Sequence, residues 1–284
     1  MKFAAPTPLD YFAALVAEDK SLNLLEAAVS LAQDEHPTLD VQAVLAEVDA
    51  LARRLRERLT PQTSPPERLR QLTRFFHGEL GFAGNLNNYY AADNSFIHRV
   101  LQTRRGIPIT LAVLLLELGE QAGLRMAGVA FPGHFLVKCR IGLGEVVLDP
   151  FTGDTLSPSR LEERLSLYRQ DSGLPQDIAV PLEFFLRAAS PRQILARMLR
   201  NLKEVHRAAG DWVRLLAIQQ RLVVLLPDEA VERRDRGLVL EALGAQASAA
   251  EDLDFYLAHC PNAPDAASLR ARLAGAAGRR PPVQ

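Results

Sequence analysis

Residues 108–123 have the sequence PITLAVLLLELGEQAG. Proline is favoured in the first turn of a helix, and Gly123 suits the left-handed residue that follows a helix end. Between the two, apolar side chains point in nearly every direction around the helical axis, and a helix of that kind is buried. The stretch therefore predicts a buried helix from Pro108 to Ala122.

Strand-like segments follow this helix. They are Met126 to Phe131, His134 to Ile141 and Glu145 to Leu148. Gly142 and Gly144 are typical of a tight turn, so we expect the second and third segments to form a hairpin. A buried helix followed by antiparallel strands predicts an α+β fold.

The sequence before residue 108 is helical by pattern. Apolar residues recur at helical spacing from Tyr11 to Leu59, where two or three helices fit, and again from Glu67 to Leu80. Asn94 and Ser95 are short polar residues of the kind that cap helix N-termini. We therefore expect them to start a helix from Phe96 to Gln102.

The C-terminal part of the chain is helical and periodic. Gly210 and Gly244 are 34 residues apart, and so are Pro227 and Pro261. This is the period of the tetratricopeptide repeat, which is a hairpin of two helices. The spacing predicts about two such repeats, fewer than the three or so that usually form a stable array.

The chain length of 284 residues favours two domains. We expect an α+β domain with an N-terminal helical extension over residues 1–180. An all-α, tetratricopeptide-like domain is predicted over residues 181–277, and a disordered tail over residues 278–284.

The overall composition is that of an ordinary globular protein, with 48% hydrophobic and 24% charged residues. Because 33 basic side chains nearly balance 34 acidic ones, no net field attracts nucleic acid or an anionic membrane. The N-terminus has no apolar signal segment, and no run approaches the roughly 20 apolar residues of a membrane span. We therefore predict a cytoplasmic protein that binds neither nucleic acid nor membranes, and we predict no cofactor.

A histidine and an aspartate are candidates for a base and the group that orients it. His134 follows a Pro-Gly pair, and Asp149 precedes a Pro-Phe pair. If residues 142–143 form a two-residue turn, Asp149 lies opposite Leu136 on the face of His134, with a Cα separation of roughly 7–8 Å. An imidazole and a carboxylate can bridge that distance. The alternative is structural: His134 fills a tight turn, and Asp149 caps the turn at the proline that follows it.

The sequence offers no thiol to complete a catalytic triad with this pair. Cys139 lies five positions after His134, which is roughly 16 Å along a strand and on its opposite face. Cys260 belongs to the repeat region, and neither cysteine has a CxxC partner, so we expect no disulfide framework. We also predict no metal site, because His98, His134 and Asp149 share no short ligand motif.

Three stretches together are similar to those of a known family. They are RRGIPITLA (104–112), PGHF (132–135) and DPF (149–151). They resemble the core of the transglutaminase-like superfamily, and in particular a bacterial subfamily that fuses this domain to C-terminal tetratricopeptide repeats. Some members of that subfamily are described as invasion-gene regulators of the Sir B type. The resemblance implies a papain- or transglutaminase-like core with N-terminal helices, followed by the all-α repeat module.

The resemblance also implies residue roles. Enzymes of the superfamily take a cysteine from the start of the helix, then a histidine and an aspartate from successive strands. His134 and Asp149 match the last two, whereas Pro108 occupies the position of the cysteine and Thr110 lies two residues further on. If the protein is an enzyme, Thr110 or a water attacks, with His134 as base and Asp149 orienting it. The alternative for Thr110 is a hydroxyl that binds an early backbone group of the helix.

Polar residues that precede the helix are close to where the pocket of the family lies. The candidate binding residues are Asn94, Arg99, Arg104, Arg105 and His134. Guanidinium groups suit a carboxylate or a phosphate. The alternative is that the arginines pair with acidic residues such as Asp93 or face solvent. On either interpretation we expect Tyr89 and Tyr90 to pack beneath this loop.

Taken together, these features predict a non-catalytic regulatory or scaffold protein. Its protein or peptide partner would bind in the old active-site cleft or in the repeat groove. Two alternatives stay open: a cysteine-less amide hydrolase or acyltransferase that uses Thr110 or water, and a purely structural subunit. The missing cysteine argues against catalysis. The sequence does not indicate the partner or the oligomeric state.

Overall fold

The structure is a computed structural model that describes residues 6–171 and 180–277. By its internal contacts the chain divides into two units. One is Leu15–Met198, and the other combines Met1–Ala14 with Leu199–Gln284. The division between the two units falls between Met198 and Leu199, inside the continuous helix Pro191–Ala209. The expected domain boundary between residues 180 and 181 stays a prediction.

Helices account for most of the chain before the sheet. They are α1 (Pro8–Leu15), α2 (Leu24–Ser30), α3 (Val41–Arg56), α4 (Pro65–Thr73), α5 (Ile97–Thr103) and α6 (Pro108–Gln121). The helix expected from Glu67 to Leu80 is instead α4 followed by a π-helical segment, Arg74–Glu79. Asn94 and Ser95 do not cap α5 as expected. They lie in a 3₁₀ turn, Ala92–Ser95, and the residue that precedes α5 is Phe96.

The predicted buried helix is confirmed as α6. Ten of its 14 residues are buried, and it packs against α2, α3, α4, α5 and the strands of the sheet. The helix ends as the sequence predicts: Gly123 has a φ of +75°, and the amide of Leu124 donates to the carbonyl of Gly119 at 2.9 Å.

The main sheet has four antiparallel strands in the order β3-β4-β5-β6. The strands are β3 (Met126–Val129), β4 (Leu136–Ile141), β5 (Gly144–Leu148) and β6 (Thr155–Leu156). A two-stranded parallel pair, β1 (Ala83–Gly84) and β2 (Arg105–Gly106), lies apart from it. The fold of this unit is α+β, as predicted.

The predicted hairpin register is confirmed. Ile141 pairs with Gly144, so residues 142–143 form a two-residue turn, and Val137 pairs with Leu148. Continuing this register places Asp149 opposite Leu136. The prediction that β4 begins at His134 was wrong, because His134 lies in a bend two residues before the strand.

Helix α7 (Pro158–Asp171) covers one face of the sheet and is followed by the short helix α8 (Leu182–Phe185). Leu161 and Leu165 of α7 are buried in one apolar cluster with residues of the sheet and the turn before β4. The members from the sheet and turn are Val129, Phe131, Leu136, Val147 and Leu156. This cluster fixes both ends of the segment that carries His134.

The repeat unit contains α10 (Trp212–Leu225), α11 (Ala230–Ala242), α12 (Gln246–His259) and α13 (Ala266–Ala277), preceded by α9 (Pro191–Ala209). Helices α10 and α12 have 14 residues each and are offset by 34 residues. The backbone bonds repeat with the same offset: Asp211 N donates to His206 O at 3.0 Å, and Ala245 N donates to Leu240 O at 2.9 Å. The predicted 34-residue period is therefore present in the backbone.

Two further expectations concern the C-terminal tail and membrane-spanning helices. The predicted disordered tail, residues 278–284, lies outside the described residues. Among the residues that are described, no helix is both long and apolar enough to cross a membrane.

Truncation of α6 tests its role as the centre of the core. Leu114 is 1% exposed, whereas Leu143 at the tip of the hairpin is fully exposed. We expect Leu114→Ala to lower the free energy of unfolding by about 2–5 kcal/mol, because it leaves a cavity in a packed core. Chemical denaturation of both variants measures this. An equal, small effect of Leu114→Ala and Leu143→Ala would contradict the central position of α6.

Candidate functional site

The structure brings His134 and Asp149 together. The Nε2 atom of His134 lies 2.9 Å from Oδ1 of Asp149, and the carboxylate is 1% exposed whereas the imidazole is 23% exposed. The hairpin register sets the approach of the two residues. The pair therefore has a buried anchor and a side chain that reaches solvent.

The carboxylate of Asp149 has more partners than the sequence suggested. Its Oδ1 also accepts from the amide of Phe151 at 2.9 Å, and its Oδ2 accepts from Nη1 of Arg164 at 2.9 Å. The bond to Phe151 caps the turn at Pro150, which is the structural role that the sequence analysis gave as the alternative for Asp149. Asp149 therefore pairs with His134 and caps the turn at the same time, since its Oδ1 makes both bonds.

These contacts set the protonation state of Asp149. Burial disfavours the charged carboxylate, but the bonds from His134, the Phe151 amide and Arg164 outweigh it and lower the pKa of Asp149 to about 2. Asp149 is therefore ionised at neutral pH and accepts a hydrogen bond. In a neutral His134 ring, Nε2 then carries the proton, and Nδ1 is the atom left to act as a base.

The backbone around the pair is held by glycines. Gly133, with a φ of +67°, lets the amide of His134 donate to the carbonyl of Phe131 at 3.1 Å. Gly84 makes room for the ring of Phe151, because a Cβ at Gly84 would lie 2.3 Å from three ring carbons. The Phe151 ring in turn lies edge-on to His134, with 6.3 Å between ring centroids.

Thr110 forms no described hydrogen bond with the pair. It is 0% exposed, and its hydroxyl has no hydrogen-bond partner among the described residues. The interpretation that this hydroxyl binds an early backbone group was therefore wrong. Pro108 opens α6 and is also buried. Neither residue supplies a nucleophile to Nδ1 of His134.

Neither cysteine supplies one. Cys139 is 0% exposed, and burial raises the pKa of its thiol to about 11, so it is an unreactive core residue. Cys260 lies in the repeat unit and is half-buried. In the described part of the chain, no three histidine, cysteine or acidic side chains are grouped to hold a metal ion.

Comparison with known proteins identifies the family. A family model described as the transglutaminase-like superfamily matches residues 42–200, which is more than half of the chain. The chain belongs to the transglutaminase-like superfamily. A second model, described as a tetratricopeptide repeat, matches residues 202–274.

Individual relatives support both assignments. A protein of Xylella fastidiosa (strain 9a5c), called UPF0162 protein, is 33% identical over 93% of each chain. Protein SirB1 of Salmonella typhimurium is 27% identical over 82% of this chain and 84% of its own. A crystal structure of menin covers 90% of this chain and 71% of its own, with 10% identity. Its TM-score of 0.40 is too low to support a conclusion.

The other predicted binding residues of the transglutaminase-like domain have partners of their own. Asn94 is buried, and its amide nitrogen donates to the carbonyls of Asn88 and Tyr89 at 2.6 and 3.0 Å. Arg99 pairs with Asp93 at 2.8 Å, the partner named by the structural alternative. Arg105 donates to the carbonyl of Gly81 at 2.7 Å.

Arg104 completes this group. It ends α5 in the left-handed conformation, with a φ of +59°, and its guanidinium lies 4.7 Å from the centroid of the Phe82 ring. No described contact joins any of the three arginines to His134 or Asp149. The structure therefore places these residues in α5, in β2 and in the turns next to them, where their described contacts are with other residues.

The expectation that Tyr89 and Tyr90 pack beneath the loop was wrong. Tyr89 is 42% exposed and Tyr90 is 81% exposed. The ring of Tyr89 lies 6.1 Å from that of Phe151, which links it to His134. An exposed Leu86 precedes them on the same loop. These side chains give the site an apolar rim that the sequence did not indicate.

Several residues beside His134 were missed by the sequence analysis. They are Phe151, Arg164, Tyr168 and Arg197. Arg164 lies next to the buried Leu165 on α7, so a helical projection places it at the edge of the buried face, but nothing in the sequence indicates its partner. We call His134, Tyr89, Phe151, Tyr168 and Arg197 the His134 surface.

A separate groove of about 730 Å³ lies elsewhere in the domain. It is lined by residues 20–25, one face of α6, the strand β3 with the residues before it, and residues 189–194. None of its lining residues belongs to the His134 surface. We base the candidate site on the His134 surface, because the titratable pair lies there and not in the separate groove.

The pKa of Asp149 gives a pH-dependent prediction. Its value of about 2 lies below the usual unfolded value of roughly 3.9, so its stabilisation is complete above about pH 4 and is lost as the pH falls towards 2. We expect Asp149→Asn to lower the free energy of unfolding by about 2–3 kcal/mol at pH 7. The deficit should shrink below pH 4, as followed by denaturant titrations at several pH values. Glu162→Gln, at an exposed acid of α7, is the control, and a pH-independent deficit for Asp149→Asn would contradict the assignment.

The hydroxyl of Thr110 gives a second prediction. Because it is buried without a described partner, Thr110→Val should raise the free energy of unfolding by about 1 kcal/mol. Thr73→Val is the matched control, because the Thr73 hydroxyl donates to the carbonyl of Leu69 at 2.9 Å and its loss should be destabilising. Thermal denaturation of both variants measures the two effects. A larger loss of stability in Thr110→Val than in Thr73→Val would show that the Thr110 hydroxyl has a polar partner.

Proposed function

We propose that this protein is a non-catalytic regulatory or scaffold protein that binds a protein or peptide partner. A transglutaminase-like domain joined to tetratricopeptide repeats, in a family that includes protein SirB1, fits a non-enzymatic regulatory role. Tetratricopeptide repeats generally form surfaces for protein–protein interaction. The finer proposal is that the His134 surface is itself a partner-binding site.

The observation that carries this proposal is a formed His134–Asp149 pair to which no described hydroxyl or thiol is hydrogen-bonded. Nδ1 of His134 has no described hydrogen-bond partner, and the hydroxyl of Thr110 is sealed in the core. A hydroxyl needs direct contact with its general base to attack. The geometry therefore counts against an acyltransferase that uses Thr110.

The rim beside the pair supports binding. Leu86, Tyr89 and Tyr90 are exposed on one loop, and Tyr90 packs edge-on to Tyr89 with 5.3 Å between ring centroids. Exposed aromatic side chains contribute much of the binding energy at protein interfaces, since they bury a large area at a low entropic cost. A partner that covers them accounts for their exposure.

Site-specific photo-crosslinking tests the proposal. A benzoyl-phenylalanine in place of Tyr90 should give a discrete crosslinked species in cells of the source bacterium. The same probe at Leu143, which is fully exposed at the hairpin tip, should not. A third probe at Val213 of α10, which is 71% exposed, reports on the repeat unit. Crosslinks from Val213 alone would show that the partner uses the repeats and that the His134 surface is not the binding site.

An activity assay separates the proposal from its alternatives. Purified wild-type protein and His134→Ala should both leave amide and ester substrates unchanged. Turnover by the wild type that disappears in His134→Ala would establish a hydrolase in which water attacks. If His134→Ala lowers the melting temperature but alters no crosslink, the pair serves folding alone.

A further inference from the structure

Arg197 of the His134 surface has no acidic partner among the residues that the structure describes. Arg197 lies on α9, and its Nη1 donates to the carbonyl of Phe131 at 3.3 Å. The same carbonyl accepts from the amide of His134 at 3.1 Å. A single backbone oxygen therefore joins the guanidinium of Arg197 to the turn that carries His134. The guanidinium also lies 5.6 Å from the centroid of the Phe135 ring.

The charge of Arg197 is not neutralised by the described residues. No carboxylate among them lies within ion-pair distance, and Nε and Nη2 form no hydrogen bond with them. Neither nitrogen is sealed from solvent. By contrast, Arg164 pairs with Asp149 and Arg99 pairs with Asp93. Burial lowers the pKa of Arg197 from its ordinary value, which shows that the charge is held in a partly desolvated place.

Two phenols stand beside this arginine. The charge of Arg197 acts on both Tyr89 and Tyr168. The ring of Tyr168 packs against the histidine turn, because a Cβ at Gly133 would lie 3.1 Å from its Cδ2. Burial raises the pKa of Tyr89, so its hydroxyl remains a donor at neutral pH. Neither hydroxyl has a described hydrogen-bond partner, so the arginine and two phenols present unused donors on one surface.

A partly buried cation with spare donors is costly unless an anion completes it. The guanidinium fork matches the two oxygens of a carboxylate. The negative charge of Asp149 is already balanced by the positive charge of Arg164. With a neutral His134, Arg197 therefore gives the His134 surface a net charge of about +1. This suits a carboxylate better than a phosphate, which carries about −1.5 to −2.

We propose that Arg197, with the hydroxyls of Tyr89 and Tyr168, binds a carboxylate of the partner beside His134. The inference rests on the proposed function, because it names the chemistry by which a peptide is recognised at the His134 surface. The carboxylate comes either from an acidic side chain or from the C-terminus of the peptide, and the two sources have the same chemistry.

Three small probes of nearly equal shape test this. N-acetylglutamate α-amide carries only a side-chain carboxylate, N-acetylglutamine carries only a terminal carboxylate, and N-acetylglutamine α-amide is neutral. The chain has six histidines, so selectively labelled imidazoles give a simple NMR spectrum in which His134→Gln assigns the signal. We expect at least one charged probe to shift the His134 signal saturably at millimolar concentration. The neutral probe should bind at least tenfold more weakly.

Variants then assign the binding to Arg197. Arg197→Gln should weaken the charged probe at least tenfold, to the level of the neutral one, whereas Arg197→Lys should weaken it less because the charge remains. Arg160→Gln removes an equal charge from an exposed position on α7 and should change affinity less than twofold. If Arg197→Gln does not fold, Arg197→Lys and Tyr168→Phe, each compared with Arg160→Gln, carry the test.

The outcomes separate this inference from the proposed function. Equal binding of all three probes, no saturable shift, or an equal loss in Arg160→Gln and Arg197→Gln would each overturn the carboxylate site. If one of these results were found together with a crosslink from Tyr90, the proposed partner binding would stand although the carboxylate site would not. Carboxylate binding without any crosslink from Tyr90 would overturn the proposed partner and retain the site.

Discussion

The need to cover α6 on every side is the constraint on which the transglutaminase-like domain depends. A helix with apolar residues all around its axis is stable in water only if other elements surround it. Helices α2 to α5 cover part of it, and the sheet covers the rest. Since the hairpin must lie against α6, its register is fixed by which face is buried. That register brings the end of β5 to the turn before β4.

The site is a consequence of this packing. Asp149 is buried because it ends a buried strand, and a buried carboxylate requires charged or hydrogen-bonding partners. His134, Arg164 and the Phe151 amide supply them. The same carboxylate therefore ties together the hairpin, α7 and the loop after β5.

The transglutaminase-like domain and the repeat unit are stabilised in different ways. The transglutaminase-like domain relies on one large core, and its polar pair lies at the edge of that core. The repeat unit relies on recurrence: equivalent backbone bonds recur every 34 residues, and Gly237 allows Leu253 to approach within 3.0 Å of the position a Cβ would occupy.

The sequence by itself determined the α+β class, the bounds of α6 and the repeat period, and it offered the hairpin register and the pairing of His134 with Asp149 as one of two interpretations. These follow from local spacing and from alternation along strands, which act over short distances in the chain. Only the tertiary structure decided that the hydroxyl of Thr110 is buried, that Asn94 and Arg99 have partners of their own, that Arg164 pairs with Asp149, and that Arg197 bonds the turn before His134. Those contacts join residues on separate elements, and no local pattern records which elements meet. The reason is that burial of α6, rather than any motif, brings them together.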